Sequence, residues 1–328
     1  MSMEEPLRIV FMGTPEFAVP SLKGLLNSPD KVIAVVTQPD RPRGRGRKLQ
    51  PPPVKVVAEQ AGVEVLQPVK ASSPDFIEKM RSLAPDFLVV AAYGQILKQE
   101  LLDVPKIMPI NVHGSLLPKY RGAAPIQWAI LNGEKETGVT IMKMDAGMDT
   151  GPILLQKAIP IGEEESFGEL YKRMAEVGAQ LLLKAIEGLK RGEIIPVPQP
   201  EEGVTYAPFI TKEMCLIDWS EPAWKISCLI RALDPAPGAY TLLEGKRLRL
   251  YKPFLVNGDT ASLNGPPGTV LSAAPNGLIV STGKGVLGIR EVQLAGKKRM
   301  DVSSFIQGRK IRPGTLLGVK PSEVKPSE

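Results

Sequence analysis

The first half of the chain alternates short, uninterrupted apolar runs with amphipathic ones, and this alternation restricts the possible folds more than any other feature. Residues 7–12, 32–37, 87–92, 107–112 and 139–144 are compact runs rich in Val and Ile, the texture of strands buried on both faces of a parallel sheet. Residues 15–26, 73–83 and 123–131 carry helical patterns between them; the first has Thr14 as an N-cap and Pro15 in its opening turn, where proline is tolerated. Such alternation predicts an α/β domain with a doubly wound, mostly parallel, Rossmann-like sheet. Sheets of this kind bind ligands beyond the carboxyl ends of their strands. Residues 166–191 form the longest helical pattern, with Leu170, Met174, Val177, Leu181, Leu182 and Ile186 near 3.6-residue spacing.

The texture then changes. Residues 192–208 include prolines at 196, 198, 200 and 208, cannot sustain a helix, and read as a semi-rigid linker. Beyond them, residues 247–251, 268–271, 277–281 and 286–292 alternate in polarity between Gly and Pro, predicting a smaller OB-like β-barrel preceded by a helix at 222–232. A chain of 328 residues is long for one core. The expected division is a catalytic domain at 1–191, a linker at 192–207 and a C-terminal domain at 208–328, with a frayed polar tail from 319.

Hydrophobic residues at 43% and charged residues at 23% exclude a disordered or fibrous chain. No apolar run approaches the ~20 residues that span a bilayer. The opening MSMEEPLRIVFMG has neither the basic nor the apolar region of a secretory signal, so a cytoplasmic protein is expected. Cys215 and Cys228, with a single histidine, cannot supply an ordinary zinc set and are expected to be buried thiols. The turn at 12–17 lacks the later glycines of a dinucleotide fingerprint and the lysine of a P-loop, leaving Gly13 to a tight turn.

The only histidine, His113, lies two residues after Asn111. On a strand both side chains point the same way, bringing a carboxamide and an imidazole together at the end of the strand, as an acyl-transfer site requires. A second polar cluster, residues 144–152, follows another strand-like run and is expected to form a loop at the same sheet edge, from which Asp149 reaches His113. A carboxylate beside an imidazole orients it and favours its charged form; with a carboxamide donor, such a trio stabilises an oxyanion and moves protons. Spacing alone also allows a structural histidine and an aspartate that caps a turn.

Charge is unevenly spread. Residues 1–207 hold 24 basic and 25 acidic residues, whereas residues 208–328 hold 17 and 10. Within the first part, residues 38–55 gather six basic residues against Asp40 alone. Arg41, Arg43, Arg45, Arg47 and Lys48, interleaved with Gly44 and Gly46, read as a mobile arm that orders on contact with phosphate. A second basic set comprises Lys246, Arg247, Arg249, Lys297, Lys298, Arg299, Arg309, Lys310 and Arg312, a track for RNA on a barrel or simply a solvated surface. Trp128, Trp219 and Trp224 are assigned to packing.

Asn111-x-His113-x-Ser115-Leu-Leu-Pro118, then Tyr120-Arg-Gly122, then the loop with Asp149, resembles the signature of the folate-dependent formyltransferases. Residues 12–17 (MGTPEF), 38–42 (QPDRP) with 44–46 (GRG), and 230–240 (IRALDPAPGAY) resemble the branch of that family that acts on methionyl initiator tRNA. The resemblance implies transfer of a formyl group from 10-formyltetrahydrofolate to the methionyl amine, without a metal. It implies catalysis by Asn111, His113 and Asp149, a folate-binding segment at Ser115, Leu116, Leu117 and Pro118, and a pterin pocket lined mainly by the backbone of Gln95, Ile96 and Leu97. It also brings the arginine-rich insertion to the tRNA acceptor end. Leu116 and Leu117 read equally well as core residues. Two alternatives stand beside it: a relative formylating a sugar-nucleotide or phosphoribosyl glycinamide amine, which has no need of the basic regions, and a nonenzymatic RNA-binding protein, which has no need of the three polar residues. Nothing in the sequence demands more than a monomer.

Overall fold

The computed structural model describes residues 6–43, 48–256, 265–309 and 311–318. The chain forms two compact units, one of residues 1–125, 136–160 and 171–207, the other of residues 126–135, 161–170 and 208–328. The first half contains β1 (Arg8–Gly13), α1 (Val19–Leu26), β2 (Lys31–Val36), β3 (Arg41–Arg43), β4 (Lys48–Gln50), α2 (Pro53–Gln60), β5 (Val65–Leu66) and α3 (Pro74–Leu83). Next come β6 (Phe87–Ala91), α4 (Gln99–Leu102), β7 (Met108–His113), α5 (Pro125–Leu131), β8 (Glu136–Lys143), β9 (Ile153–Pro160) and α6 (Phe167–Lys190). The remainder holds α7 (Ala223–Ala232), β10 (Tyr240–Leu243), β11 (Lys246–Leu255), β12 (Val270–Ala274), β13 (Gly277–Ser281), β14 (Val286–Leu294), β15 (Met300–Asp301) and α8 (Val302–Gly308).

The first unit is built on a seven-stranded sheet in the order β5-β2-β1-β6-β7-β8-β9. Its first five strands are parallel. The apolar runs of β1 and β6 are buried along both faces, which is why they read as continuous rather than alternating. Val10, Met12, Leu88 and Val90 pack on one face with Phe76, Ile77 and Met80 of α3. Because β1, β2, β6 and β7 run in one direction, the segments that follow them emerge together at one sheet edge.

β8 and β9 reverse this pattern. β8 pairs antiparallel with β7, His113 opposite Thr140 and Ile110 opposite Lys143, and β9 pairs antiparallel with β8. The loop at 144–152 therefore does not start at the expected edge. It starts beside Pro109, at the opposite end of β7, where the Met144 N–H donates to the Pro109 carbonyl at 3.0 Å.

The arginine-rich segment also departs from the expected mobile arm. β3 and β4 pair antiparallel, Arg41 opposite Gln50 and Arg43 opposite Lys48. Its base is fixed by Lys55, which reaches both Asp40 oxygens at 2.9 and 3.0 Å, and by Gln67, whose amide donates to Asp40 at 2.7 Å and to the Gln38 carbonyl at 2.9 Å. The Gln67 and Lys55 hydrogen bonds hold the Asp40 carboxyl below its ordinary value. Arg45 and Arg47 lie outside the described residues, as do Lys310 and the tail from 319.

Residues 192–207, read as a linker, group with the first unit. Proline content excludes a helix there but does not prevent an extended segment from pairing: Ile153 and Val197 exchange backbone hydrogen bonds at 2.7 and 2.9 Å. In the second unit, β10-β11-β14-β13-β12 form an antiparallel sheet with β15 added beside β14. Leu243, Leu248, Leu250, Val270, Leu278, Val280 and Leu287 from its strands pack in one core with Ile226 and Ile230 of α7 and Phe305 of α8.

Close packing at Gly138 on β8 generates a stability prediction. A Cβ there meets the Lys157 carbonyl oxygen of β9 at 2.3 Å and Leu116 Cδ2 at 2.5 Å, so strand and neighbouring turn approach as only glycine permits. Gly138→Ala is expected to destabilise the first unit by roughly 1–3 kcal/mol, read as a lower urea midpoint.

Candidate active site

β7 carries Asn111 and His113 on one face. The His113 residue is 5% exposed. Its Nε2 lies 3.0 Å from the Tyr120 carbonyl oxygen, which can only accept, so Nε2 carries the proton. Nδ1 faces Asp149 Oδ2 at 3.6 Å, too long for a direct hydrogen bond but close enough for attraction once the ring is charged. The loop from β8 thus folds back along the sheet to bring Asp149 to the far end of β7. Within it, Asp145 accepts from the Gly147 N–H at 3.0 Å and from Thr150 Oγ1 at 2.6 Å.

Asp149 is itself held from the β7 side. Its Oδ2 accepts the Gly122 N–H at 2.8 Å. Gly122 has φ of 121°, and a Cβ there stands 2.9 Å from the Ala207 carbonyl oxygen; both the conformation and the contact require glycine. The Tyr120-Arg121-Gly122 motif therefore supplies a carbonyl to His113 and an N–H to Asp149. The Asn111 carboxamide makes no hydrogen bond among the described residues and is left with its donors unspent.

Ser115 to Pro118 form a turn braced from the antiparallel strands. Ser115 is fully buried and donates to the Lys119 carbonyl at 2.6 Å. Thr140 Oγ1 donates to the Ser115 carbonyl at 2.7 Å and accepts the Leu117 N–H at 3.1 Å. Gln156 donates to the Leu117 carbonyl at 2.8 Å. The Ser115 and Leu117 side chains are buried within this turn, whereas Leu116 and Pro118 are half-buried at its surface.

The segment after β6 emerges at the same edge. Gln95 bridges two backbone groups, accepting the Ala71 N–H at 2.9 Å and donating to the Val69 carbonyl at 3.3 Å. Leu97 is buried in the core, while Ile96 between them is 87% exposed. Thr14 Oγ1 and the Gln38 amide both donate to the Tyr93 carbonyl, at 2.9 and 3.3 Å, so this segment and the base of the arginine hairpin share one hydrogen-bonded frame. Among the described residues, no three His, Cys, Asp or Glu side chains cluster closely enough to hold a metal ion.

The expected RNA-facing residues separate into two kinds. Arg41 is exposed and reaches Gln38 Oε1 at 3.4 Å; Arg43 and Lys48 lie on the paired strands of the hairpin. Lys246, Lys297 and Lys298 are exposed and make no ion pair among the described residues. Arg247 is also exposed, its guanidinium 4.2 Å above the Tyr240 ring, and Arg249 contacts Gln293 at 3.4 Å.

Arg299 differs from these. It binds Asp234 through two nitrogens at 2.6 and 3.1 Å, pairs with Glu291 through Nε and stacks 3.9 Å from the Tyr251 ring centre. It is a structural arginine whose charge is already met.

This arrangement gives a pH-dependent prediction. Burial pushes the Glu291 carboxyl up, but hydrogen bonds from Lys252 and Arg299 outweigh it and hold the group below its ordinary 4.5. A depressed carboxyl contributes stability above its unfolded value and loses it as pH falls through the folded one. Arg299→Ala is expected to cost the second unit about 3 kcal/mol at neutral pH, by urea unfolding. The difference from the parent protein should narrow as pH falls below 4.5.

Residues 7–186 match the formyl transferase family, and residues 209–310 match the formyl transferase C-terminal domain. Methionyl-tRNA formyltransferase of Citrifermentans bemidjiense is 52% identical over 97% of this chain and 98% of its own length. The enzyme of that name from Desulfotalea psychrophila is 52% identical over 96% of this chain and 97% of its own. Among solved structures, HypX from Aquifex aeolicus in complex with tetrahydrofolic acid shares the fold, with a TM-score of 0.62 and 20% identity over 92% of this chain and 47% of that one. The resemblance carried by separated sequence motifs thus extends over nearly the whole length, and the chain belongs to the methionyl-tRNA formyltransferase family.

Proposed function

We propose that the protein transfers a formyl group from 10-formyltetrahydrofolate to the α-amino group of methionyl initiator tRNA, using Asn111, His113 and Asp149. The observation that carries the reading is the division of labour around His113: Nε2 is committed to the Tyr120 carbonyl and Nδ1 faces Asp149, beside an Asn111 amide that has no other partner among the described residues. The exposed Ile96, on the segment beyond β6 at the same sheet edge, and the half-buried Leu116 and Pro118 suit the flat face of a heterocycle there. Gln95, Ile96, Leu97 and Ser115 to Pro118 would hold the folate, mainly through backbone groups.

The bound donor supplies an electrophilic formyl carbon. Asn111 Nδ2–H and the protonated His113 Nδ1–H donate to the formyl oxygen as negative charge develops during attack by the amine, the main electrostatic contribution such a site makes. Asp149 offers Oδ1 to the proton leaving the amine, since Oδ2 is held by Gly122. His113 returns a proton to the departing folate nitrogen as its bond to the formyl carbon breaks. A free amine is already nucleophilic, so no enzyme-bound acyl group is needed. The reading implies a monomeric enzyme of the cytoplasm, and no helix among the described residues is long and apolar enough to cross a membrane.

The arginine hairpin favours an RNA acceptor over a sugar-nucleotide or phosphoribosyl amine, because it follows β2 at the edge where β7 delivers His113. Phosphate contacts of this kind orient the RNA and set its affinity without reading sequence.

Incubation with 10-formyltetrahydrofolate and methionyl initiator tRNA should yield formylmethionyl-tRNA; an inert mixture, or formylation confined to a small-molecule amine, would sink the reading. His113→Ala is expected to lower turnover by at least about a thousandfold with tRNA binding retained. Replacing Arg41, Arg43 and Arg45 together with alanine should weaken tRNA use and flatten its salt dependence by roughly one unit of slope per lost phosphate contact. An unchanged slope removes the hairpin from the RNA interface.

A further inference from the structure

We infer that Gln199 and Thr205, on the proline-rich segment after α6, are positioning residues for formyl transfer, holding the two loops that orient His113 and Asp149. The inference rests on the proposed roles of those two residues and adds to them a third segment of chain, one whose composition reads as a spacer.

Gln199 uses its whole amide. Nε2 donates to the Asp149 and Gly151 carbonyls, each at 2.8 Å. Oε1 accepts from Arg121 Nε at 3.2 Å and from Arg121 Nη2 at 2.7 Å. An amide alone offers two donors on one atom and an acceptor on the other, so the residue joins the Asp149 loop to the Tyr120–Gly122 loop. Thr205 fixes the second loop, its Oγ1 accepting the Tyr120 N–H at 2.8 Å and its carbonyl accepting the Arg121 N–H at 2.9 Å.

These contacts fall where the backbone needs them. Tyr120 has φ of 60° and Asp149 has φ of 53°, left-handed conformations that L-residues hold only when surrounding structure fixes them. The Tyr120 carbonyl meets His113 Nε2, and the Asp149 carboxylate meets Nδ1. The segment therefore grips the main chain of the same two residues whose polar atoms grip the imidazole. Neither Gln199 nor Thr205 hydrogen-bonds the ring among the described residues, so each acts through another group.

The test uses the full-length protein, saturating folate and tRNA, and single-turnover rates where steady-state rates are too low. Gln199→Ala is expected to lower kcat about 10- to 100-fold, with both KM values within about twofold of the parent. Gln199→Glu keeps the acceptor for Arg121 but sets an oxygen against two carbonyls; it should lose as much, and parent-like turnover in this variant overturns the proposal. Coupling separates positioning from general destabilisation: in an Asp149→Asn background, Gln199→Ala should cost less than it does in the parent, because the share of its effect that passes through Asp149 is already lost. Losses that multiply in the double variant overturn the proposal while leaving the role of Asp149 intact. Parent-like turnover by Asp149→Asn alone overturns that role and the positioning of it together.

Discussion

A buried imidazole at a strand end has two ring nitrogens to satisfy, and the site is organised around how they are satisfied. The Tyr120 carbonyl has no proton to give, so it fixes the tautomer and commits Nε2 to this contact. What remains is Nδ1, which faces a carboxylate. The ring cannot turn to swap these roles without leaving the carbonyl unpaired in a buried place, a cost of ~1–3 kcal/mol. From this follows the need for a turn that brings Tyr120 back over β7, for a loop that returns Asp149 from the opposite sheet end, and for the Gly122 N–H that holds the carboxylate.

The parallel strands bring the other parts of the site to the same edge. β1, β2, β6 and β7 deliver Thr14, Gln38, Tyr93 and His113 together, and the Tyr93 carbonyl gathers the first two of them. The arginine hairpin extends from this frame through Gln67, Asp40 and Lys55. Each such bond contributes a net ~0.5–1.5 kcal/mol, so several together fix where the hairpin begins. The segment that starts from this base follows β2, at the sheet edge where β7 ends in His113.

The parts legible in the sequence were those that act through side-chain periodicity. Two-sided burial makes β1, β2, β6 and β7 read as apolar runs, and the two-residue repeat of a strand puts Asn111 with His113. The reversal of β8 was not legible, because a buried antiparallel strand such as residues 139–142 is as apolar as a parallel one. Tyr120, Gly122 and Thr205 act through main-chain atoms or a single hydroxyl, which leave no compositional trace; the recurrence of Tyr-Arg-Gly in a family motif was the only available signal. Proline content correctly excluded a helix at 192–207, yet says nothing about what an extended segment lies against. The arginine segment likewise has the composition of a free arm, while its pairing is decided by Asp40, Lys55 and Gln67 at its base.

Charge counted along a chain is also not charge available to a partner. Residues 208–328 have a clear basic excess, but Arg299 is met by Asp234 and Glu291, Lys252 by Glu291, Arg290 by Glu164 and Arg309 by Glu244. If Arg299 turned to a phosphate it would abandon Asp234 and Glu291, both largely buried, so its gain in Coulomb energy is offset by the desolvated charge left behind. Lys246, Lys297 and Lys298 face no such exchange. Counterion release counts phosphates neutralised by cations free to meet them; the exposed cations of this unit include these lysines and Arg247, while Arg299 spends its charge holding the junction between α7, β14 and β15 together.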